Sequence, residues 1–311
     1  AFARAYTPQD MKPYISYLAQ GLLTLAVYDR NVNVRRAASA AFQENVGRQG
    51  MFAYGIEINT AADYFALGNL NNSYLNVSTF IGQYDEYRHT LIDHLIYIKI
   101  RHWDIHIRQL CAQTLAKLAQ IKNGIQYIIN DGLLDKLLQD IICDDLKQRH
   151  GALLCLAAII PIMFQHESVD IDLIKKISSI IPIMSNAGVF NGIGQQIMKI
   201  AGCQLLKSMS LCKILFLHSE TSQYYDNYHS FLQSSIQHAS QNVRLAAAEA
   251  FKSYSNIIHD DVNSIETKKI VIEFTDQLIK SNIFEYTRGY ALACGHFNNE
   301  IIINYFNLIS N

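Results

Sequence analysis

Apolar residues recur along the chain three and four positions apart, as in Leu91, Leu95 and Ile98, the spacing of one helix face. Six such stretches stand out: Pro13 to Tyr28, Tyr87 to Arg101, Leu133 to Ile142, Val169 to Met184, Tyr224 to Gln237 and Val262 to Ser281. After each comes a second pattern: apolar, basic, two free positions, a small residue, two more, then small and large apolar. It reads Val34-Arg35, Ala38, Ala41-Phe42, then Ile107-Arg108, Cys111, Thr114-Leu115, then Val243-Arg244, Ala247, Ala250-Phe251. Looser copies lie at Gln148-Arg149, Met198-Lys199 and Thr287-Arg288.

The basic residues fall at 35, 108, 149, 199, 244 and 288, so the spacings are 73, 41, 50, 45 and 44. All but the first sit at or near the ~40–47-residue period of HEAT and armadillo arrays. Each unit therefore reads as helix A, a turn and helix B, and the fold class as an all-α HEAT/armadillo-type solenoid, a right-handed superhelix of helical hairpins. The expected organisation is one array over 1–311, about six repeats and a partial one after Asn298, inside a longer protein, since position 1 is not Met. Small residues on helix B let neighbours approach closely. The basic residue lies where the helix dipole disfavours a cation. An acidic partner from the preceding turn or the next repeat is the expectation, with Asp29, Asp104 and Asp144-Asp145 in position.

The long first spacing implies an insertion at about 47–73. It is rich in glycine and asparagine, but anchored by Phe52, Tyr54, Ile56, Ile58, Tyr64 and Phe65. An ordered excursion with a short helix near Thr60 to Ala66 is expected. Gln43, Glu44, Asn45 and Arg48 are expected to tie it to the end of helix B.

Composition narrows the function. Net charge is −1, without the basic excess of a nucleic-acid-binding protein. The longest apolar run, Gly151 to Phe164 with Pro161, is shorter than the ~20 residues of a spanning helix, so no membrane insertion is expected. The six cysteines are scattered without C-x-x-C, which reads as free, buried thiols in a reducing, cytoplasmic setting. His102 and His106 stand at a metal-compatible i, i+4 spacing but lack a third ligand. Gly188, Gly192 and Gly194 suit a tight turn better than a phosphate cradle, which would need a following Lys-Ser/Thr. Tyr224, Tyr225, Tyr228 and Phe231 read as helix packing. Asp104 can cap its helix, with Trp103 packed beside it. No catalytic residue, cofactor or metal is expected.

One segment is more specific than a generic repeat helix: Arg35-Arg36-Ala-Ala-Ser-Ala-Ala-Phe-Gln-Glu-Asn-Val-Gly-Arg-Gln-Gly50. With Gly55-Ile-Glu-Ile58, Ala62-Asp-Tyr-Phe65, Ile92-Asp-His94, His102-Trp-Asp104 with Arg108, and Arg149-His-Gly151, it resembles the cofactor D family of tubulin-folding chaperones. The weaker echoes Gly192-Ile-Gly194 and Thr287-Arg288 extend the resemblance along most of the chain. The resemblance implies a non-catalytic chaperone segment, cytoplasmic and associated with the cytoskeleton. Its implied partners are β-tubulin or the αβ-tubulin dimer, tubulin cofactors E and C, and an Arf-like small GTPase. It implies dimer assembly and disassembly and stimulation of tubulin GTP hydrolysis, with the catalytic arginine on cofactor C. Residues in or beside these motifs form the candidate partner-contact set: Arg35, Arg36, Gln43, Glu44, Asn45, Arg48, Gln49, Asp63, Tyr64, Trp103, Arg108 and Arg149. The alternative is a generic HEAT-repeat scaffold, such as a phosphatase or transport adaptor.

Overall fold

The computed structural model describes residues 2–166, 169–214, 223–258 and 265–297. Every regular element among them is helical, the all-α repeat class that the periodicity predicts. The chain forms two compact units, Ala1–Asp140 with Lys147–Cys155, and Ile141–Leu146 with Leu156–Asn311.

The first unit opens with short turns at Phe2–Ala5, Pro8–Met11 and Lys12–Tyr14. A hairpin follows, α1 (Ile15–Tyr28) and α2 (Val32–Gln49). Gly50 ends α2 in the left-handed region (φ 62°), a conformation that costs glycine nothing. Then come α3 (Gly55–Ala61) and a continuous helical segment, α4, which is α-helical at Leu70–Asn72, π-helical at Ser73–Val77 and α-helical again at Ser78–Ile81. A second hairpin, α5 (Asp85–Tyr97) and α6 (Ile105–Gln120), precedes the short helices α7 (Gly124–Asn130) and α8 (Leu133–Asp140). The long α9 (Leu146–Gln165) contributes Lys147–Cys155 to this unit and its remaining residues to the second.

The second unit continues with α10 (Ile171–Ser178), α11 (Ile180–Asn186), α12 (Gln195–Leu211), α13 (Tyr225–Ile236), α14 (Gln241–Ile258), α15 (Ile265–Lys280) and α16 (Phe284–Cys294). Positive-φ glycines 188, 192 and 194 turn the chain from α11 into α12. Tyr228 and Phe231 are buried in the packing of α13. The repeat after Asn298 lies outside the described residues.

Several boundaries differ from those predicted. The 47–73 stretch holds its short helix at Gly55–Ala61, not at Thr60 to Ala66. The predicted helix over Val169 to Met184 is divided at Ser179. An unforeseen helix, α7, precedes α8, so that unit has three helices rather than two. Cys143 and Cys212 lie in turns and are half-buried, while Cys111, Cys155, Cys203 and Cys294 are buried free thiols.

In the three clearest copies of the repeat the basic residue is held by backbone carbonyls, not by the expected acid. Arg35, Arg108 and Arg244 are buried, and each bends back to the turn before its helix. Arg35 Nη1 donates to the carbonyls of Asp29 and Arg30, Arg108 Nη1 to those of His102 and Trp103, and Arg244 Nη1 to those of His238 and Ala239. Arg88, outside the predicted set, reaches the carbonyls of Gly82 and Gln83 at the same intervals with Nε and Nη2, at 2.7 and 2.9 Å, while its Nη1 pairs with Asp85. The acceptors are always six and five residues back. A cation poorly placed for its own helix thus sits on the carbonyls that end the preceding element, where the backbone field is negative.

The turns themselves repeat. Val27-x-Asp29-x-Asn31, Ile100-x-His102-x-Asp104 and Ile236-x-His238-x-Ser240 each precede the arginine by the same interval. The third residue accepts from the backbone N–H of the fifth: Asp29 from Asn31 (2.7 Å), His102 Nδ1 from Asp104 (3.0 Å) and His238 Nδ1 from Ser240 (3.0 Å). In the first two copies the fifth residue also caps the next helix through its side chain.

Helix breakers inside α9 and α11 leave carbonyls open, and neighbouring hydroxyls fill them. Pro161 cannot donate to Ala157, whose carbonyl takes Ser208 Oγ at 2.7 Å. Pro182 cannot donate to Ser178, whose carbonyl takes Tyr228 Oη at 2.5 Å. At the π-helical turn of α4, the carbonyls of Tyr74 and Leu75 are met by Thr114 Oγ1 (3.2 Å) and Lys117 Nζ (2.9 Å). Such complete pairing is what burial of backbone demands.

Candidate functional site

Residues after α2 run back along it. A Cβ on Gly55 would meet Val46 at 2.6 Å, the Ala62 carbonyl accepts from Ser39 Oγ at 2.6 Å, and the Tyr64 carbonyl accepts from Arg36 Nε at 3.1 Å. The Leu67 and Gly68 carbonyls accept from Arg35 Nε and Nη2, at 2.9 and 3.2 Å. The stretch is therefore locked by the first turns of α2, through Arg35, Arg36 and Ser39. The tie expected from Gln43, Glu44, Asn45 and Arg48 is made elsewhere. Glu44 accepts from Arg48 and from Arg4 near the chain start, and these two cations hold its carboxyl below the usual range. Asn45 donates to the Ala41 carbonyl within its own helix.

This geometry sorts the candidate contacts. Arg35 and Arg108 are each 2% exposed, and Asn45 and Gln49 are also buried. Their donors are used inside the fold: Gln49 Nε2 donates to the Tyr6 carbonyl, and Arg108 Nε donates to the imidazole Nδ1 of His150 at 3.0 Å. Arg149 is half-buried at the start of α9. Gln43, Arg48, Asp63, Tyr64 and Trp103 are exposed, and Arg36 and Glu44 are half-buried. Asp63 turns back to accept from the Ala66 N–H at 2.6 Å.

Two aromatic–arginine pairs flank the start of α2. The Arg36 guanidinium lies 3.6 Å from the Tyr64 ring centroid, and Phe65, 82% exposed, meets Tyr64 edge-on. The Arg30 guanidinium lies 4.6 Å above the Trp103 ring. Trp103 is 63% exposed, so its indole is not packed away as expected. Asp104 orders this second pair. One carboxylate oxygen accepts from the His106 N–H and caps α6, and the other takes Arg30 Nε at 3.2 Å. Although its partial burial works the other way, these bonds hold the Asp104 carboxyl below its ordinary range. Arg30 therefore ties the turn before α2 to the turn before α6 and presents the indole to solvent. Sequence reasoning missed Arg30 and Phe65. The cation next to a capping turn and the aromatic next to Tyr64 were the available signals.

His102 and His106 do not share a helix face, since His102 precedes α6 and spends Nδ1 on the Asp104 N–H. Among the described residues no cluster of three His, Cys, Asp or Glu side chains could hold a metal, and no helix is long and apolar enough to cross a membrane. The residues gathered here suit recognition of a protein surface: rigid aromatics and arginines are the usual anchors of such contacts.

A family described as tubulin-specific chaperone D-like, ARM repeats, matches residues 1–56. Tubulin-specific chaperone D of Dictyostelium discoideum is 36% identical over 216 residues, 68% of this chain. The chain belongs to the tubulin-specific chaperone D family. Within that family, tubulin-folding cofactor D of Schizosaccharomyces pombe is 26% identical over 119 residues, 38% of the chain. The aligned parts span 14% and 11% of the lengths of these two relatives, so this chaperone D-family chain corresponds to a fraction of them. A crystal structure of an engineered protein aligns over 89% of the chain and 97% of its own length, at 17% identity and a TM-score of 0.44.

Proposed function

We propose that this chain is a tubulin-binding segment of a tubulin-folding chaperone, and that the Arg30–Trp103 and Arg36–Tyr64–Phe65 pairs contribute contacts to β-tubulin. The observation that carries the reading is the family membership. The exposed aromatic–arginine pairs support it. Their chemistry suits a partner surface that offers carboxylates beside apolar pockets, since arginine supplies bidentate bonds and the rings supply area at little entropic cost. In the family's scheme the segment acts in αβ-tubulin dimer assembly and disassembly, with cofactors E and C and an Arf-like GTPase, in the cytoplasm. It supports tubulin GTP hydrolysis as a binding component and not as an enzyme.

The test is co-sedimentation and surface-plasmon measurement of the chain with purified αβ-tubulin. Trp103→Ala combined with Tyr64→Ala is expected to weaken binding at least about tenfold, given ~2 kcal/mol or more for hot-spot aromatics, with Tm nearly unchanged because both side chains are exposed. Wild-type chain that ignores tubulin, yet recovers phosphatase or transport-receptor subunits from cells, would replace this reading with the scaffold one.

A further inference from the structure

The three copies of the arginine turn are not equally satisfied. In each, Nη1 grips the two turn carbonyls, leaving the Nε edge of the guanidinium to face the next helical element. Arg35 Nε and Nη2 meet the carbonyls of Leu67 and Gly68. Arg108 Nε meets His150 Nδ1. Arg244 Nε is buried and has no acceptor among the described residues, although the residue is only 5% exposed.

The cause lies in the facing helix. A Cβ on Gly151 would stand 2.0 Å from the Ile100 carbonyl, and one on Gly289 would stand 1.9 Å from the Ile236 carbonyl, so α9 and α16 dock against their turns at equivalent points. The residue before each glycine is therefore equivalent too. It is His150, a neutral acceptor, in one copy and Arg288, a second cation, in the other. Arg288 does not fill the gap: its guanidinium lies 4.8 Å over the exposed Phe284 ring. Between α14 and α16 this leaves a groove of about 350 Å³ lined by Gln241, Arg244, Leu245, Arg288, Ala291 and Leu292. It has two guanidiniums, apolar walls and no carboxylate among those residues.

We propose that this groove binds a carboxylate side chain of a partner polypeptide, an Asp or Glu flanked by an apolar residue. The carboxylate takes the free Nε edge of Arg244 and pairs with Arg288 as that side chain swings in from Phe284. The flanking residue packs on Leu245 and Leu292. Charge complementarity names the occupant: a buried N–H without an acceptor is costly, and an ionised oxygen is the strongest acceptor a protein partner offers. The inference goes beyond the tubulin-binding reading and does not depend on it.

The test uses the whole 311-residue chain and three probes: a blocked Leu-Glu-Glu-Leu peptide, its Leu-Gln-Gln-Leu counterpart and inorganic phosphate. The readout is the arginine Nε–H NMR spectrum. The Glu peptide is expected to move the Arg244 Nε–H signal saturably, while the Gln peptide leaves it in place. Arg288→Gln should weaken that binding at least fivefold without loss of fold, the side chain being exposed. Arg288→Glu should supply the acceptor internally, raising Tm and abolishing peptide binding. An Arg244 signal that no probe moves would overturn the proposal. So would equal response to the Gln peptide, or saturation by phosphate at concentrations where the Glu peptide has no effect.

Discussion

The turn at 100–108 and the turn at 236–244 share isoleucine, histidine and arginine at the same three places, yet differ in what meets their arginine. Around Arg108 the Nη1 group meets two turn carbonyls and Nε meets His150. Around Arg244 the carbonyl grip is intact but the outer edge faces Arg288 and an open groove. One turn is finished as structure. The other keeps the same carbonyl grip and leaves a buried guanidinium N–H without an acceptor among the described residues. A repeat can thus turn from a fastening into a binding feature by changing one residue on the neighbouring helix.

The widest separation between the copies should come from the arginines themselves. Arg108→Ala strands the His102 and Trp103 carbonyls and His150 Nδ1, and is expected to cost about 3 kcal/mol or more in urea unfolding. Arg244→Ala strands the two turn carbonyls only and should cost less, about 2 kcal/mol. Equal losses would break the comparison. Gly151→Ala and Gly289→Ala should instead behave alike, each losing about 1–3 kcal/mol through overpacking against a carbonyl, because the docking geometry is common to both.

Acid should act on both turns, since burial lowers His102 in one and His238 in the other, and the Arg108 copy adds His150. Burial, and then Arg108, pushes the His150 pKa down to about 3, and burial and Lys99 push His94 down to about 4. Both folded values lie below the unfolded value of about 6.5, so folding favours neutral histidine. This stabilisation is complete above pH ~6.5 and is lost as pH falls toward the folded values, with a slope of up to ~1.4 kcal/mol per pH unit for each histidine. His150→Gln should flatten that limb in melts between pH 6.5 and 4, and Arg288→Gln should not. The smallest effect is expected from Ser208→Ala, which strands the Ala157 carbonyl opened by Pro161 and should cost about 1 kcal/mol in thermal melts. That cost marks hydroxyl repair of helix breaks as separate from the arginine turns.

Much of this was legible in advance. Apolar spacing located the long hairpin helices, since burying one helical stripe requires that period whatever the partner. The recurrence of Val/Ile-Arg with small residues after it identified the repeat. The Arg35 to Gly50 and Ala62 to Phe65 segments indicated the family. The boundaries that shifted involve residues whose effect depends on a neighbour. Val169 to Met184 reads as one stripe, but Pro182 divides it and Tyr228 makes the division tolerable. The candidate site divided for the same reason. Arg35 and Arg36 are adjacent and equally polar, yet one is fastened to four backbone carbonyls and the other stacks on an exposed tyrosine.

Periodicity alone determined that this chain is a helical repeat, because helix formation and stripe burial are local or nearest-neighbour matters. Which arginine is a clamp and which is a contact was decided only by tertiary structure. A guanidinium has donors on several edges, and their acceptors are carbonyls and imidazoles up to 42 residues away. His150 facing Arg108 and Arg288 facing Arg244 are single letters in the sequence, and their difference acquires meaning only where the two helices dock.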